Sequence, residues 1–174
     1  AYELKRLGAM EQALGGRRYR SALEIGCAEG FFTERLARYC DHVVAVDISE
    51  IALERARERL RGNPSVRFAC ADVRAWTPGE RTFDLIVLGD VLYYLDKPMV
   101  GEQFEAAFPR LASWLLPGGK LILAHGFAGE QEKCHRESFT RRFEAQGLKR
   151  RTETVVNPDE PKNTVRCLLA VLDK

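Results

Sequence analysis

Five short apolar runs constrain this chain more than any other feature: Ala22–Ile25, Val43–Val46, Val66–Cys70, Phe83–Leu88 and Leu121–Ala124. Each is strand-length, and several are apolar on both faces, as a parallel strand covered from both sides must be. Between them the apolar period lengthens to that of a helix. Phe32, Leu36 and Tyr39 recur at helical spacing, as do Ala52, Ala56 and Leu60. Ser49 is placed to cap the second of these helices, and Gly62-Asn63-Pro64 to end it. A third helix is expected over about Gly101–Leu116, broken or kinked at Pro109, after which "LPGGK" turns the chain into the strand at Leu121. Strands alternating with helices predict an α/β fold with a parallel sheet and right-handed crossovers. The end differs. After a helix near Arg136–Gln146 come "LKRRTETVV" and "NTVRCLLAVL", joined by a loop carrying Pro158 and Pro161. Two extended segments in succession predict a terminal antiparallel hairpin.

A length of 174 residues fits a single domain over 1–174, large enough to bury a core without a metal or disulfide staple. The net charge of +2 and pI near 8.3 come from charges interspersed along the chain, which argues against nucleic acid or an anionic membrane as partner. No basic stripe with interleaved aromatics is present for RNA, and no apolar run approaches the length of a membrane span. The five cysteines (Cys27, Cys40, Cys70, Cys134, Cys167) share no metal-ligand spacing and read as free thiols of a reducing cytosol, so a cytoplasmic location is expected. The chain opens on Ala1 without methionine, which leads us to expect that an N-terminal piece is missing or disordered.

The turn after the first run, "EIGCAEGF", decides what kind of ligand this sheet can take. In an open α/β sheet ligands bind beyond the carboxyl ends of the strands, where strand order reverses. Gly26 and Gly30 let the backbone bend and approach a ligand, and Ala28 is the largest side chain expected to fit between them. A dinucleotide loop needs a small residue at its third glycine position for close packing, and that position is Phe31. The pattern that does fit is acidic-x-Gly-x-Gly-x-Gly, with Glu24, Gly26, Ala28 and Gly30, one glycine replaced by alanine. Asp47 ends the second strand, 21 residues after Gly26, where a carboxylate can accept from both hydroxyls of a ribose. Asp72 ends the third, placed to accept from an adenine amino group. Three such features at the ends of three consecutive strands predict a nucleoside site.

The ordered set "LEIGCAEG", "VAVDIS", "CADV", "FDLIVLGDVLYYL" and "LLPGGKLILAH" resembles a class I S-adenosylmethionine-dependent methyltransferase, and within that class the nodulation protein S (NodS)-like family. The resemblance covers about Ser21–His125. It implies a Rossmann-like three-layer sandwich with sheet order 3-2-1-4-5-7-6 and strand seven antiparallel. It also implies S-adenosylmethionine as cofactor, S-adenosylhomocysteine as product, and transfer to an amine, as in the N-methylation of a chitooligosaccharide. By the same resemblance the backbone from Gly26 through Cys27 and Ala28 to Gly30 would hold the methionyl part, with Glu24 positioning its amino group. Asp47 would bind the ribose and Ile48 pack on the adenine, while Asp72 and the Val73 amide would read the adenine edge. Tyr2, with Arg6, would cover the cofactor from an N-terminal helix.

The acceptor is expected beyond the fourth strand, where Gly89 allows close backbone approach and Asp90 projects into the cleft. An amine must be neutral to attack, so Asp90, Tyr94 or His125, the last at the end of the fifth strand, is the expected group to take or steer its proton. His135 is a weaker substrate-side candidate. The fourth-strand motif is not Asn/Asp-Pro-Pro-Tyr, which disfavours planar nitrogens, and the short gaps between strands leave no room for a capping domain. A small-molecule or saccharide acceptor follows, and no metal is required. The rivals are O-methylation of a natural-product hydroxyl or carboxyl and a non-catalytic cofactor-binding partner protein. An NAD-dependent oxidoreductase is disfavoured by Phe31 and by the lack of a Tyr-x-x-x-Lys set.

Overall fold

The computed structural model describes residues 2–96, 101–159 and 164–174; Ala1, Pro161 and Asn163 lie outside them. In chain order the elements are α1 (Tyr2–Ala13), β1 (Tyr19–Ile25), α2 (Phe31–Leu36), β2 (Cys40–Asp47), α3 (Glu50–Arg59), β3 (Val66–Cys70), β4 (Phe83–Gly89), α4 (Leu92–Leu95), α5 (Gly101–Trp114), β5 (Leu115–Phe127), α6 (Gly129–Glu144), β6 (Lys149–Val156) and β7 (Arg166–Asp173). The sheet runs β3-β2-β1-β4-β5-β7-β6, the order expected above. β1 to β5 pair in parallel, and β7 lies antiparallel to both β5 and β6. Strand order reverses between β1 and β4, so their carboxyl ends flank a crevice.

Two apolar clusters cover the two faces. On one, Leu7, Met10, Phe32, Leu36 and Leu53 bring α1, α2 and α3 against Ala22, Val43 and Val87. On the other, Leu92, Phe104, Phe108, Phe139 and Phe143 bring α4, α5 and α6 against Leu23, Ile86 and Leu123. Successive residues of β1 and β4 point to opposite faces and both are buried, which is why those runs lack polar alternation.

Several local expectations are met and several are corrected. Ser49 caps α3, its hydroxyl accepting from the Ala52 N–H at 3.3 Å, although the buried stripe is Leu53, Ala56 and Leu60 rather than Ala52, Ala56 and Leu60. α2 stops at Leu36, so Tyr39 sits in a turn, its hydroxyl donating to Glu11. α5 continues through Pro109. The proline lies on the exposed side, where solvent can take the carbonyl that loses its donor, while Phe108, Leu111 and Ala112 keep the helix against the core. α6 begins seven residues before the expected Arg136, at Gly129, because the Glu132 carboxylate reaches back to the Ala128 N–H at 2.7 Å. β5 starts at Leu115, with "LPGG" looped out between the Phe83–Leu115 and Leu85–Lys120 pairs.

Phe139 joins α6 to α5. It is fully buried, with Phe104 at 6.0 Å and the His125 and His135 rings at 5.3 and 4.9 Å. Phe139→Ala is expected to lower unfolding free energy by about 3–5 kcal/mol, the scale of a phenyl deleted from a packed core. Urea denaturation followed by circular dichroism measures it; a loss under about 1 kcal/mol would mean the aromatic layer repacks.

Candidate active site

The cradle at the end of β1 is built from left-handed backbone. Gly26, Ala28 and Gly30 have φ of 79°, 47° and 78°. A Cβ on Gly26 would sit 2.9 Å from the Gly89 carbonyl oxygen and 3.1 Å from Val91 Cβ, and one on Gly30 would meet Ala56 and Leu60 at 3.0 and 3.1 Å. Gly30 therefore supplies the close packing that a dinucleotide loop takes from the following position. That frees Phe31, which stays half-exposed with the Arg59 guanidinium 3.6 Å from its ring centre. Ala28 holds its unusual conformation with the help of Asp47, whose Oδ2 accepts from the Ala28 N–H at 2.8 Å. The other Asp47 oxygen accepts from the Ser49 N–H at 2.9 Å, tying this loop to the start of α3.

Two adjoining cavities open on the cradle. One, of about 450 Å³, is bounded by Leu4, Arg6, Glu24, Cys27, Phe31 and Phe32. The other, of about 620 Å³, is bounded by Asp47, Ile48, Asp72, Val73, Asp90 and Tyr94. Gly26, Ala28, Gly89 and Arg6 line both, so the two form one continuous cleft. Ile48 is exposed at its mouth and Val73 is buried in its wall.

Glu24 is buried at the floor, and its Oε2 has no hydrogen-bond partner. Burial pushes its carboxyl up to about 7, against the opposing pull of Thr33 and Arg6. Burial also pushes the Cys27 thiol up, which leaves it protonated and unreactive. Asp72 is engaged by its own neighbour: the Arg74 side chain spans both carboxylate oxygens at 2.5–3.0 Å and the Arg74 N–H donates at 2.9 Å, which holds this carboxyl low. An amino group arriving at Asp72 must share it with Arg74, which the sequence reading did not foresee.

Asp90 sits on the far wall at φ 51°. It does not cap α4, whose N-cap is Val91 with no side-chain bond. Its Oδ2 pairs with Arg6 of α1 at 3.1 Å, and its Oδ1 accepts from the Gly126 N–H at 2.6 Å and the Tyr93 hydroxyl at 3.3 Å. Burial and Asp90 itself raise the Tyr93 phenol, so it keeps its proton and donates. Tyr2 comes from α1 to the same place; its buried hydroxyl has no partner and lies 2.9 Å from where a Gly126 Cβ would be. Tyr94 is exposed at the rim, its ring 4.5 Å from that of Tyr93. Asp90 also lines a third cavity, of about 310 Å³, that continues past Tyr2, Tyr93, Gly126, Glu132 and Arg136.

His125 is not on the rim. It is 2% exposed, with rings of Tyr93 and Phe139 edge-on at 6.1 and 5.3 Å and both ring nitrogens unpartnered. Burial, reinforced by Arg136, pushes its imidazole down to about 3, so it is neutral and out of reach of the cleft. The alternation of β5 accounts for this: Gly126 faces α1 and the cleft, while His125 faces α6. His135 contacts Asp96 and Arg136 rather than the cleft. The residue missed in the sequence is Arg136, buried on the same helical stripe as Phe139 and Phe143. A charged residue on an apolar stripe was the available signal.

Among the described residues no group of His, Cys, Asp and Glu is placed to hold a metal, and no helix is long and apolar enough to cross a membrane. The five cysteines are free, with Cys70 and Cys134 exposed.

The folded Glu24 holds a proton between about 4.5 and about 7 that the unfolded chain releases, so its share of stability is present on the acid side and is lost as pH rises through about 7. Glu24→Gln is therefore expected to gain stability relative to the native chain on going from about pH 5 to about pH 8, by about 1–3 kcal/mol. Urea midpoints at the two pH values measure this. An unchanged difference would mean that Glu24 keeps an ordinary acidity.

Comparison with known proteins agrees with this geometry. The sequence model of the family Nodulation protein S (NodS) matches residues 1–145. Nodulation protein S of Sinorhizobium fredii is 38% identical over 102 residues, 59% of this chain and 45% of that protein. Nodulation protein S of Bradyrhizobium diazoefficiens is 38% identical over 116 residues, 67% of this chain and 52% of that protein. The chain thus spans about half the length of these curated relatives. The crystal structure of the N-methyltransferase NodS from Bradyrhizobium japonicum in complex with S-adenosylhomocysteine superposes with a TM-score of 0.84 at 26% identity, covering 100% of this chain and 88% of that one. With its cradle, its strand order and a family match over five-sixths of its length, the chain belongs to the Nodulation protein S (NodS) family of class I methyltransferase fold.

Proposed function

We propose that the chain is an S-adenosylmethionine-dependent methyltransferase acting on a small-molecule or saccharide acceptor, at an amine nitrogen, in the cytoplasm. The observation that carries this reading is the unpartnered Oε2 of buried Glu24 beneath a left-handed Gly26–Ala28–Gly30 turn. A buried acceptor atom aimed into a cleft calls for a donor, and the ammonium of a methionyl group is one. S-adenosylmethionine, when bound, supplies an electrophilic methyl group on a sulfonium.

Around it this chain's own residues divide the work. The backbone of Gly26–Gly30 and Glu24 would hold the methionyl end in the smaller cavity, with Tyr2 and Arg6 covering it from α1. Asp47 keeps lone pairs free beyond those it gives to Ala28 and Ser49, and these would accept from ribose hydroxyls. Val73, Ile48 and Asp72 would border the adenine in the larger cavity. The acceptor would enter by the third cavity and meet Asp90, the residue common to both. Held by Arg6 and the Gly126 N–H, Asp90 is placed to accept from an N–H of the acceptor and turn its lone pair toward the methyl group. Tyr94 at the rim would close over it. His125 takes no part, since it is neutral and walled off.

Isothermal titration with S-adenosylhomocysteine, NAD serving as control, tests the reading. S-adenosylhomocysteine is expected to bind and NAD not to. Asp47→Ala is expected to weaken S-adenosylhomocysteine by about 1–3 kcal/mol, roughly five- to 150-fold in Kd, the scale of hydrogen bonds to a charged group lost from a shielded site. Equal affinity of native chain and variant would take Asp47 out of the site.

A further inference from the structure

We propose that Asp96, His135 and Arg136 form a positioning chain that aims Asp90 into the acceptor cavity. The inference rests on the reading of Asp90 as the residue that meets the acceptor. Arg136 is buried, yet its contacts are mostly neutral: Nε donates to the Gly126 carbonyl at 3.0 Å, one terminal nitrogen contacts His135 Nδ1, and the guanidinium lies 4.2 Å from the Tyr93 ring centre. Glu132 is no nearer than 4.0 Å and half-exposed. Gly126 and Tyr93, the two groups Arg136 holds, are the two donors to Asp90 Oδ1. The Gly126 residue is thus pinned from both ends, its carbonyl by Arg136 and its N–H by Asp90.

The protons follow from the chemistry of the partners. A guanidinium only donates, so His135 Nδ1 must accept. The proton of a neutral His135 then sits on Nε2 and points at the Asp96 carboxylate, which it contacts. The carboxylate fixes the tautomer, the tautomer offers Arg136 a lone pair, and Arg136 fixes the Gly126 peptide and the Tyr93 ring. Asp96 follows α4 and His135 lies in α6, so the chain also ties together the segments after β4 and β5 that flank the acceptor cavity. The arrangement steadies Asp90 at φ 51°, a left-handed conformation that an aspartate adopts at some cost and that its hydrogen bonds help to hold. A Cβ on Gly126 would lie 2.9 Å from the Tyr2 hydroxyl and 3.3 Å from Asp90 Oδ1, so a larger residue there would press on both.

Nuclear magnetic resonance of chain labelled with nitrogen-15 in histidine and glycine reads the proposal without any acceptor. In the native chain the His135 ring should show a protonated Nε2 and an accepting Nδ1. The Gly126 amide proton should resonate far downfield, as a short bond to a carboxylate requires. In His135→Phe, which keeps the ring against Phe139, and in Arg136→Lys, that resonance should move upfield toward its position in Asp90→Asn. S-adenosylhomocysteine should bind both variants as it binds the native chain, because neither residue lines the cofactor cleft. A His135 protonated on Nδ1 in the native chain, or a Gly126 resonance unmoved in both variants even as their melting temperatures fall, would overturn the positioning chain. If neither variant folds, the native tautomer alone decides. Failure of S-adenosylhomocysteine to bind the native chain would sink the proposed activity and leave these resonances to be read on their own.

Discussion

Everything at the cleft depends on how closely β1 and β4 approach at their carboxyl ends. The Gly89 carbonyl and the Val91 side chain lie where a Cβ of Gly26 would be, so the turn after β1 and the segment after β4 are within van der Waals contact. These are the two strands between which strand order reverses. Their loops therefore diverge to opposite sides of one crevice whose walls are only a residue apart. The cradle proposed for the cofactor and the Asp90 wall proposed for the acceptor face each other because nothing larger than hydrogen fits between them. A reaction that needs three atoms in line gains most from such fixed proximity.

Four acids at the strand ends show how far surroundings divide one chemical type. Glu24 is buried beneath the cradle and holds its proton up to about neutrality. Asp47 spends one oxygen on each of two backbone N–H groups and so works as a strut between loops. Asp72 is clasped by Arg74 and kept ionised. Asp90 is shared between an arginine of α1 and two donors from α4 and β5. None of these differences is a property of the residue. Each follows from depth and from the nearest donor.

The local part of this was legible in the sequence. Apolar runs without alternation located the buried strands, Ser49 announced the start of α3, and Phe31 excluded a dinucleotide loop. The strand order came from resemblance, since no local property of the chain encodes which strands are neighbours. What escaped was set by side-chain direction and by contacts distant in sequence. His125 and Gly126 face opposite sides of β5, and the fate of each depends on which face carries α1, a question of topology. Arg74 sits two residues from Asp72, but the backbone between them is also held by Arg110, which reaches across from α5 to the Val73 and Arg74 carbonyls. Pro109 shows the same limit: a residue that ends an isolated helix is carried when tertiary packing holds both sides of it.

Charge gives the last step. Glu3, Glu24, Glu29, Asp47, Asp72 and Asp90 border the cleft, against Arg6 and Arg74. Arg6 alone faces Glu3 at 2.9 Å and Asp90 at 3.1 Å while drawing on the field at Glu24. A pyrophosphate entering this cleft would bring negative charge to an acidic wall whose arginines, Arg6 and Arg74, are already paired with Asp90 and Asp72. A ligand bearing an ammonium and a sulfonium would relieve the imbalance, with the ammonium placed at the partnerless Oε2 of buried Glu24. Once its methyl group is transferred, such a ligand would carry one positive charge fewer, so the same acids that favour entry of the cation would hold the spent ligand less tightly. Discrimination against dinucleotides and release of product would thus have a common electrostatic origin, in a fold that by its sheet alone would accommodate either ligand.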